Sequence, residues 1–311
     1  AITRKFSAKF TNKTGITYTK MYYDMDMNLA PHQMHPMELI SQGKGNTDLI
    51  SGYTSSSIGI SEQITLNVGV NAQVLTLNNS WTLEPRAGIK WQFSPKSSFA
   101  LAYGLHSRME KMDVYFVKTQ GTGDRSVNKD LGFTRAHHVM LSYGFKISDN
   151  MNMKIEPYFQ QLYDVPVIAD SSYSVLNRRD FYVENALVNR GKGRNIGVDI
   201  TLERYLNKGL YYMMTASIFD SKYYGGDRKW RNTLYNRNFI VNVLGGKEWM
   251  VGRDRQNMFS VNFKITLQGG DRYAPVDEVA TLLDPDREVQ YDETKAFSKQ
   301  FSPMFITNFS V

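Results

Sequence analysis

The chain has 311 residues, 41% of them hydrophobic and 13% aromatic, with 22% charged and no cysteine. So many aromatics exclude a disordered or low-complexity protein, and the lack of cysteine excludes a disulfide framework, a thiolate metal site and a cysteine nucleophile. The net charge of +7 arises from basic residues spread along the chain, with no Lys/Arg block, which argues for a solvated surface or a polar lumen and against nucleic-acid binding.

Apolar runs are a few residues long, far short of the roughly 20 that a membrane-spanning helix needs. A membrane barrel is not excluded by this, because each of its strands turns a polar face inward. The opening AITRKFSAKF alternates at once and carries no basic stretch followed by an apolar core, so a signal peptide is expected to be absent or removed. Strands are expected near 2–11, 16–28, 50–61 and 64–77. In Leu83–Phe93, Leu83, Pro85, Ala87, Ile89, Trp91 and Phe93 alternate with Glu84, Arg86, Gly88, Lys90 and Gln92. Further strands follow near 98–108, 138–147 and 151–163. From Arg194 to Arg204, Ile196, Val198, Ile200 and Leu202 share one face, and Gly197, Asp199, Thr201 and Glu203 the other. After strands near 209–221 and 239–251, Phe259, Val261, Phe263, Ile265 and Leu267 alternate with Ser260, Asn262, Lys264, Thr266 and Gln268. A last strand covers 301–311. Helical spacing is nowhere sustained; a short turn of helix fits Val276–Leu283.

The connections separate into two sets. Tight ones, rich in Asn, Gly, Asp, Pro and Ser, are expected at Asn12–Gly15, Ser61–Gln63, Ser94–Ser97, Ser148–Asn150, Leu206–Gly209 and Gly252–Gln256. Longer ones, 29–49, 78–82, 109–136, 164–191, 222–238 and 269–300, alternate with them. In an up-and-down meander this puts every tight turn at one end of the sheet and every long loop at the other, as in outer-membrane barrels. A soluble sandwich or propeller also alternates, but its strands cluster near about 5–6 residues, whereas a tilted membrane strand needs about 9–11. Tyr18, Trp91, Phe93, Phe145, Tyr205, Tyr211 and Trp249 recur near strand ends, as interfacial girdles do. The fold class is therefore all-β: an antiparallel up-and-down transmembrane β-barrel. Lys90, Lys154, Glu156, Asp199, Glu203 and Lys264 fall on its inner face. Thirteen strands are expected in one domain, 1–311; one more would complete a barrel of fourteen, and a larger barrel of which this is the middle fits equally well.

Three stretches carry a resemblance: EPRAGIKWQFSPKSSFALAYGLHSRMEKMDVYFV (84–117), GKGRNIGVDITLERYLNKGLYYMMTASIFDSKYYG (191–225) and WRNTLYNRNFIVNVLGGKEWMVGRDRQNMFSVNFKITLQGGDRYAPVD (230–277). They resemble the barrel of Bacteroidetes outer-membrane TonB-dependent receptors. The resemblance implies a barrel of twenty-two strands with a plug in the lumen, Ala1 several strands into it and Val311 two strands before its end. The plug, the TonB box and the aromatic-ending final strand have no counterpart in the sequence. The resemblance also implies a bacterial outer-membrane location and energy-coupled uptake of a nutrient (iron chelate, oligosaccharide, peptide or vitamin). Its partners would be the TonB complex acting through a plug, membrane lipids and a surface lipoprotein. A passive diffusion channel without energy coupling is the alternative.

No catalytic constellation and no phosphate loop is present, so a binding protein without a cofactor is expected rather than an enzyme. RGKGRN (Arg190–Asn195) opens a strand rather than a helix, and GGDR (Gly269–Arg272) and LGGKE (Leu244–Glu248) read as strand bends or close backbone approaches. His32, Met34, His35 and Met37 offer soft donors that suit copper, set against an exposed loop whose methionines only touch neighbours. Ligand-binding candidates lie in the long connections: Arg178, Arg179, Asp180 and Tyr182; Tyr223, Tyr224, Arg228 and Trp230; Asp284, Asp286 and Arg287. Aromatics mixed with arginine suit sugars, peptides or anionic iron chelates alike.

Overall fold

The computed structural model describes residues 1–30, 36–119, 125–179, 181–285 and 288–311. Its strands are β1 (Ile2–Ser7), β2 (Phe10–Leu29), β3 (Glu38–Gly59), β4 (Ile64–Leu75), β5 (Ser80–Ser94), β6 (Ser97–Arg108), β7 (Thr134–Ser148) and β8 (Met151–Val167). They continue with β9 (Val188–Asn207), β10 (Leu210–Tyr224), β11 (Trp230–Asn232), β12 (Phe239–Val251), β13 (Asn257–Gln268), β14 (Arg272–Tyr273), β15 (Lys299–Gln300) and β16 (Met304–Ser310). Two short helices, α1 (Met112–Tyr115) and α2 (Glu278–Leu283), lie in loops.

β1 to β10, then β12, β13 and β16, form one antiparallel sheet in chain order, with β11 paired beside β10. The expected meander of thirteen strands is thus present, and the fold is a partial up-and-down transmembrane β-barrel. Tight turns join β1–β2, β3–β4, β5–β6, β7–β8, β9–β10 and β12–β13, all at one end; the loops 109–133, 168–187, 225–238 and 269–303 lie at the other. The expected helical turn is α2, started by Asp277, whose carboxylate accepts the Ala280 N–H at 2.9 Å.

Register fixes the faces. Leu83, Ile89 and Trp91 point outward and are 53%, 39% and 47% exposed. In the row Ile196, Val198, Ile200 and Leu202, the last three pair with Ile218, Ala216 and Met214 and Ile196 pairs with Asp220; Ile196 is 51% exposed, and no core of described residues covers it. The opposite face is polar: Lys154 Nζ lies 2.8 Å from Glu156 Oε2, and Ser217 donates to Asp199 at 2.6 Å. Apolar side chains toward lipid and charged ones toward a hydrated lumen satisfy both solvents, while the ladder satisfies the backbone.

Four expectations need correction. Asn12–Gly15 is not a turn; the chain reverses at Ala8–Lys9, and Asn12 to Gly15 run inside β2. Asn12 donates across the strand to Thr54 and Ser56, both at 3.0 Å, and Gly15 makes room for the Tyr53 ring, so turn-forming residue types serve ladder contacts here. The connection 29–49 is mostly strand, because β3 begins at Glu38 and pairs with β2 from Leu29 inward. Thirdly, 78–82 overlaps a strand: β5 starts at Ser80, after a turn in which Asn78 accepts the Ser80 N–H at 3.1 Å and Asn79 takes φ +57°. Lastly, Tyr211 is no outward girdle residue; it pairs with Gly246 on the lumenal face, and its hydroxyl donates to Asn262 at 2.8 Å.

The dry core sits at the loop end. Leu75, Val114, Tyr115, Phe116, Val117, Leu131, Phe133, Val183 and Leu187 cluster there, with Met21, Tyr23 and Met25 of β2 packed against them. Loop 109–133 reaches β3 through Gln42 N–H to Phe116 C=O at 3.2 Å and Lys118 N–H to Ile40 C=O at 2.7 Å. Asn128 then clamps loop 168–187, accepting the Leu187 N–H at 2.7 Å and donating to Asn185 C=O at 3.0 Å.

Candidate ligand-binding site at the loop end

Loops 168–187 and 269–303 enclose a cavity of about 550 Å³ at the same end. One wall is a single 3-10 turn, Val175–Asn177, whose start is set by the Ser174 hydroxyl accepting the Leu176 N–H at 3.3 Å. Asn177 ties that turn to the neighbouring loop by accepting the Leu234 N–H at 2.8 Å, while its own Nδ2 is buried without a partner among the described residues. The facing wall is the small β14–β15 sheet, on which Tyr273 and Phe301 stack with ring centroids 4.4 Å apart. Glycines allow the sharp entry into this wall: a Cβ at Gly269 would collide with Arg237 C=O, and one at Gly270 with Phe301 C=O. GGDR thus reads as expected for its glycines, while its Arg272 lines the cavity.

Three guanidinium groups border the space. Arg178 pairs with Asp113 and also donates to Phe181 C=O. Arg179 lies 3.9 Å from Asp271, which is held more closely by Arg237 at 2.7 Å. Arg272 donates to Asn236 C=O at 2.9 Å and Asn238 Oδ1 at 2.8 Å, and burial pulls its pKa below the usual guanidinium value. Fixed arginines beside Tyr173, Tyr273, Phe297 and Phe301 give the cavity a lining of aromatic faces and guanidinium donors, chemistry suited to a flat ring with polar edges.

Behind the cavity, Tyr223 is fully buried with its ring 6.0 Å from Phe297. Arg231 grips Asp227 with two hydrogen bonds, 2.9 and 2.6 Å. That pairing holds the Asp227 carboxyl below the usual carboxylate range and raises Arg231. Glu293 bridges to the first loop, accepting from the hydroxyls of Ser171 at 3.2 Å and Ser172 at 3.4 Å.

Of the sequence candidates, Arg178 and Arg179 line the cavity and Tyr223 supports its wall. Tyr182 lies in loop 168–187 away from its lining, and Arg228 is exposed on a turn with φ +63°. Tyr224 and Trp230 meet at 5.5 Å with tilted rings on the outer face, with Lys192 over the first ring and Arg194 over the second, continuing the Ile196 row. Asp284 ends α2, accepting from Glu288 N–H at 3.1 Å and Gln290 at 2.6 Å. Asp180, Asp286 and Arg287 lie outside the described residues, as do His32, Met34 and His35; Met37 is exposed. Among the described residues no group of three or more metal-ligating side chains forms. Tyr173, Asn177, Arg272, Tyr273, Phe297 and Phe301 escaped sequence reading. Their only signal was position: Tyr173 and Asn177 in the connection 164–191, Arg272, Tyr273 and Phe297 in 269–300, and Phe301 at the first residue of the expected last strand.

No protein-family model and no curated protein matches the sequence. Solved structures do. The siderophore receptor PiuA from Acinetobacter baumannii matches over 99% of this chain with TM-score 0.65 and 10% identity. The FrpB iron transporter from Neisseria meningitidis matches over 99% with TM-score 0.61 and 11% identity, and the outer membrane transporter YddB from Escherichia coli over 96% with 0.61 and 10%. The chain spans less than half the length of each: 47%, 46% and 44%. The fold is accordingly that of the barrel wall in outer-membrane transporters.

Proposed function

We propose that the chain supplies wall, lumen lining and outer loops of a TonB-dependent receptor in a bacterial outer membrane. A nutrient ligand is captured at the loop end and imported with energy delivered by the TonB complex through a plug in the lumen. The observation that carries this is the segregated meander, tight turns at one end and packed loops at the other, superposing on outer-membrane transporters over nearly the whole chain. The same likeness supports an energy-coupled importer over a passive diffusion channel. Membrane lipids meet the outward row, and a surface lipoprotein is a further partner at the loop end. The ligand class is an iron chelate, oligosaccharide, peptide or vitamin, and the Bacteroidetes type rests on the sequence resemblance.

Binding and gating, rather than bond-breaking, is what this chemistry provides. Arg179 and Arg272 orient polar oxygens, Tyr273 and Phe301 stack against a ring, and Asn177 Nδ2 donates into the space. Titration calorimetry of the purified intact protein with ferric siderophores, oligosaccharides, peptides and cobalamin tests this. Binding of one class, abolished when 168–187 is replaced by a short linker in a still-folded barrel, is expected. Unchanged affinity after that replacement would overturn the loop-end site.

A further inference from the structure

RGKGRN, near the start of β9, alternates glycine with cation, and the alternation has a structural reason. Gly191 and Gly193 are buried against the loops inside the wall: a Cβ at Gly191 would collide with Val167, and one at Gly193 would stand 2.9 Å from Leu176 Cδ1. Successive residues of a strand face opposite sides, so Lys192 and Arg194 stand on the outer face, both exposed. Register sets their height. Arg194 pairs with Gln161 of β8 and Lys222 of β10, one rung beyond Phe159 and Ile196, where the apolar row ends. Lys192 pairs with Tyr224, and Tyr224 with Trp230. From the tight turn at Asn207 up to Ile196 the strand covers the about 9–11 residues that a tilted crossing takes. The cations therefore sit at the loop end, where hydrocarbon gives way to headgroups.

Among the described residues the side chains of Lys192 and Arg194 have no hydrogen bond or ion pair. Lys192 Nζ instead lies 5.7 Å from the Tyr224 ring centroid, and Arg194 Cζ 5.5 Å from that of Trp230. Both cations are thus held over an aromatic floor rather than over an acid. Each nearby carboxylate has a cation of its own: Asp220 with Lys222 at 3.3 Å, Asp164 with Arg135 at 3.2 Å, and Asp227 with Arg231 at 2.6 Å. The turn 225–229, which joins Tyr224 to Trp230, adds exposed Arg228 and Lys229; it is closed by Arg228 N–H to Gly225 C=O at 3.1 Å. On the β2–β3 hairpin, by contrast, Lys44 is neutralised by Asp24 at 2.7 Å. β9 also lies inside the sheet, between β8 and β10, so its ladder is complete on both sides of the cations.

We infer that Lys192, Arg194, Tyr224 and Trp230, with Arg228 and Lys229 of the adjoining turn, form a site for a phosphorylated glycolipid of the outer leaflet. An outward face at headgroup depth meets lipid, which fixes the kind of partner, and cations without acid partners select an anionic headgroup. Four such cations on one strand and the neighbouring turn exceed what a single phosphodiester needs and suit a headgroup that carries two phosphates. Lys192 and Arg194, about 7 Å apart along the strand, take phosphate oxygens. Trp230, 44% exposed, sets its amphipathic ring at the same level, and Phe159, Ile196 and Ile218 below seat acyl chains. The inference rests on the membrane reading proposed above, with the loop end at the cell exterior, and on nothing in the loop-end cavity.

Native mass spectrometry of the intact protein, released from micelles doped in turn with diphosphoryl lipid A, monophosphoryl lipid A and phosphatidylglycerol, tests it. Retention of one diphosphoryl lipid A, roughly fivefold or more over either other lipid, is expected. Lys192→Gln with Arg194→Gln should remove that preference, while the charge-conserving exchange Lys192→Arg with Arg194→Lys should keep it. Lys44→Gln, at a cation already paired, should leave it unchanged, and heat-modified gel mobility confirms a folded barrel for each variant. Diphosphoryl lipid A held no better than either comparison lipid, or a preference undiminished in the double glutamine variant, overturns the site. A wall that fails to insert into liposomes at all would instead sink the membrane reading on which both proposals stand.

Discussion

Gly43 lies beneath the ring of Phe116, close enough that a Cβ added at Gly43 would stand 2.5 Å from Phe116 Cδ1. The same ring meets Tyr23 at 4.4 Å, so one side chain of loop 109–133 is wedged between β2 and β3. Gly43→Ala should therefore push Phe116 out and loosen the loop, at a cost of about 1–3 kcal/mol for overpacking. Limited proteolysis should show faster cleavage within 109–133 while the heat-modified gel mobility of the barrel stays unchanged.

Arg231 and Asp227 should make the loop 225–238 acid-sensitive. Asp227 has a pKa lowered by the Arg231 guanidinium, so the pair contributes fully above the ordinary aspartate value near about 3.9. That contribution is lost as pH falls through the depressed folded value. Asp227→Asn should cost about 1.5–3 kcal/mol of local stability at neutral pH, typical of a hydrogen bond to a charged group. Hydrogen exchange in 225–238 should accelerate below about pH 4 in the native protein and show no such step in the variant.

In the cavity, Tyr273→Ala and Phe301→Ala should each weaken ligand binding severalfold, since an aromatic pair contributes about 0.5–1.5 kcal/mol beyond its area. Trp230→Ala, on the outer face, should leave affinity unchanged. Calorimetric titration of the three variants separates a stacking pocket from a general effect on the loops.

Wall polarity gives a depth-resolved test. Ile200→Lys on the lipid face should destabilise the barrel by about 2–4 kcal/mol if the site lies near the bilayer midplane. Lys264→Leu on the lumenal face should cost far less. Denaturant unfolding in phospholipid bilayers reads both.

Strand existence and the segregation of turns were legible because period two and Gly/Asn/Pro clustering are local signals. Ile196 to Leu202 illustrate this: their face follows from alternation alone. Residues whose role depends on a distant partner were not legible. Asn12 and Gly15 look like a turn until Thr54, Ser56 and Tyr53 are placed opposite them. The stretch 38–49 carries polar residues suited to a loop, yet pairing with β2 makes it strand. In the site, Arg178 and Arg179 were found by composition, whereas Tyr273 and Phe301 meet only because β14 and β15, far apart in the chain, form their own sheet.

The β2–β3 hairpin, with strands of 20 and 22 residues, is about twice as long as a tilted crossing requires. Its upper half stands in water and carries the buried cluster around Phe116, so the molecule has two solvents and two separate sources of cohesion. The lower half is held by the bilayer, which penalises any unpaired peptide group. The upper half is held as a water-soluble domain is, by a dry interior that urea can dissolve. The mouth can therefore melt and re-form without the staves ever leaving the membrane.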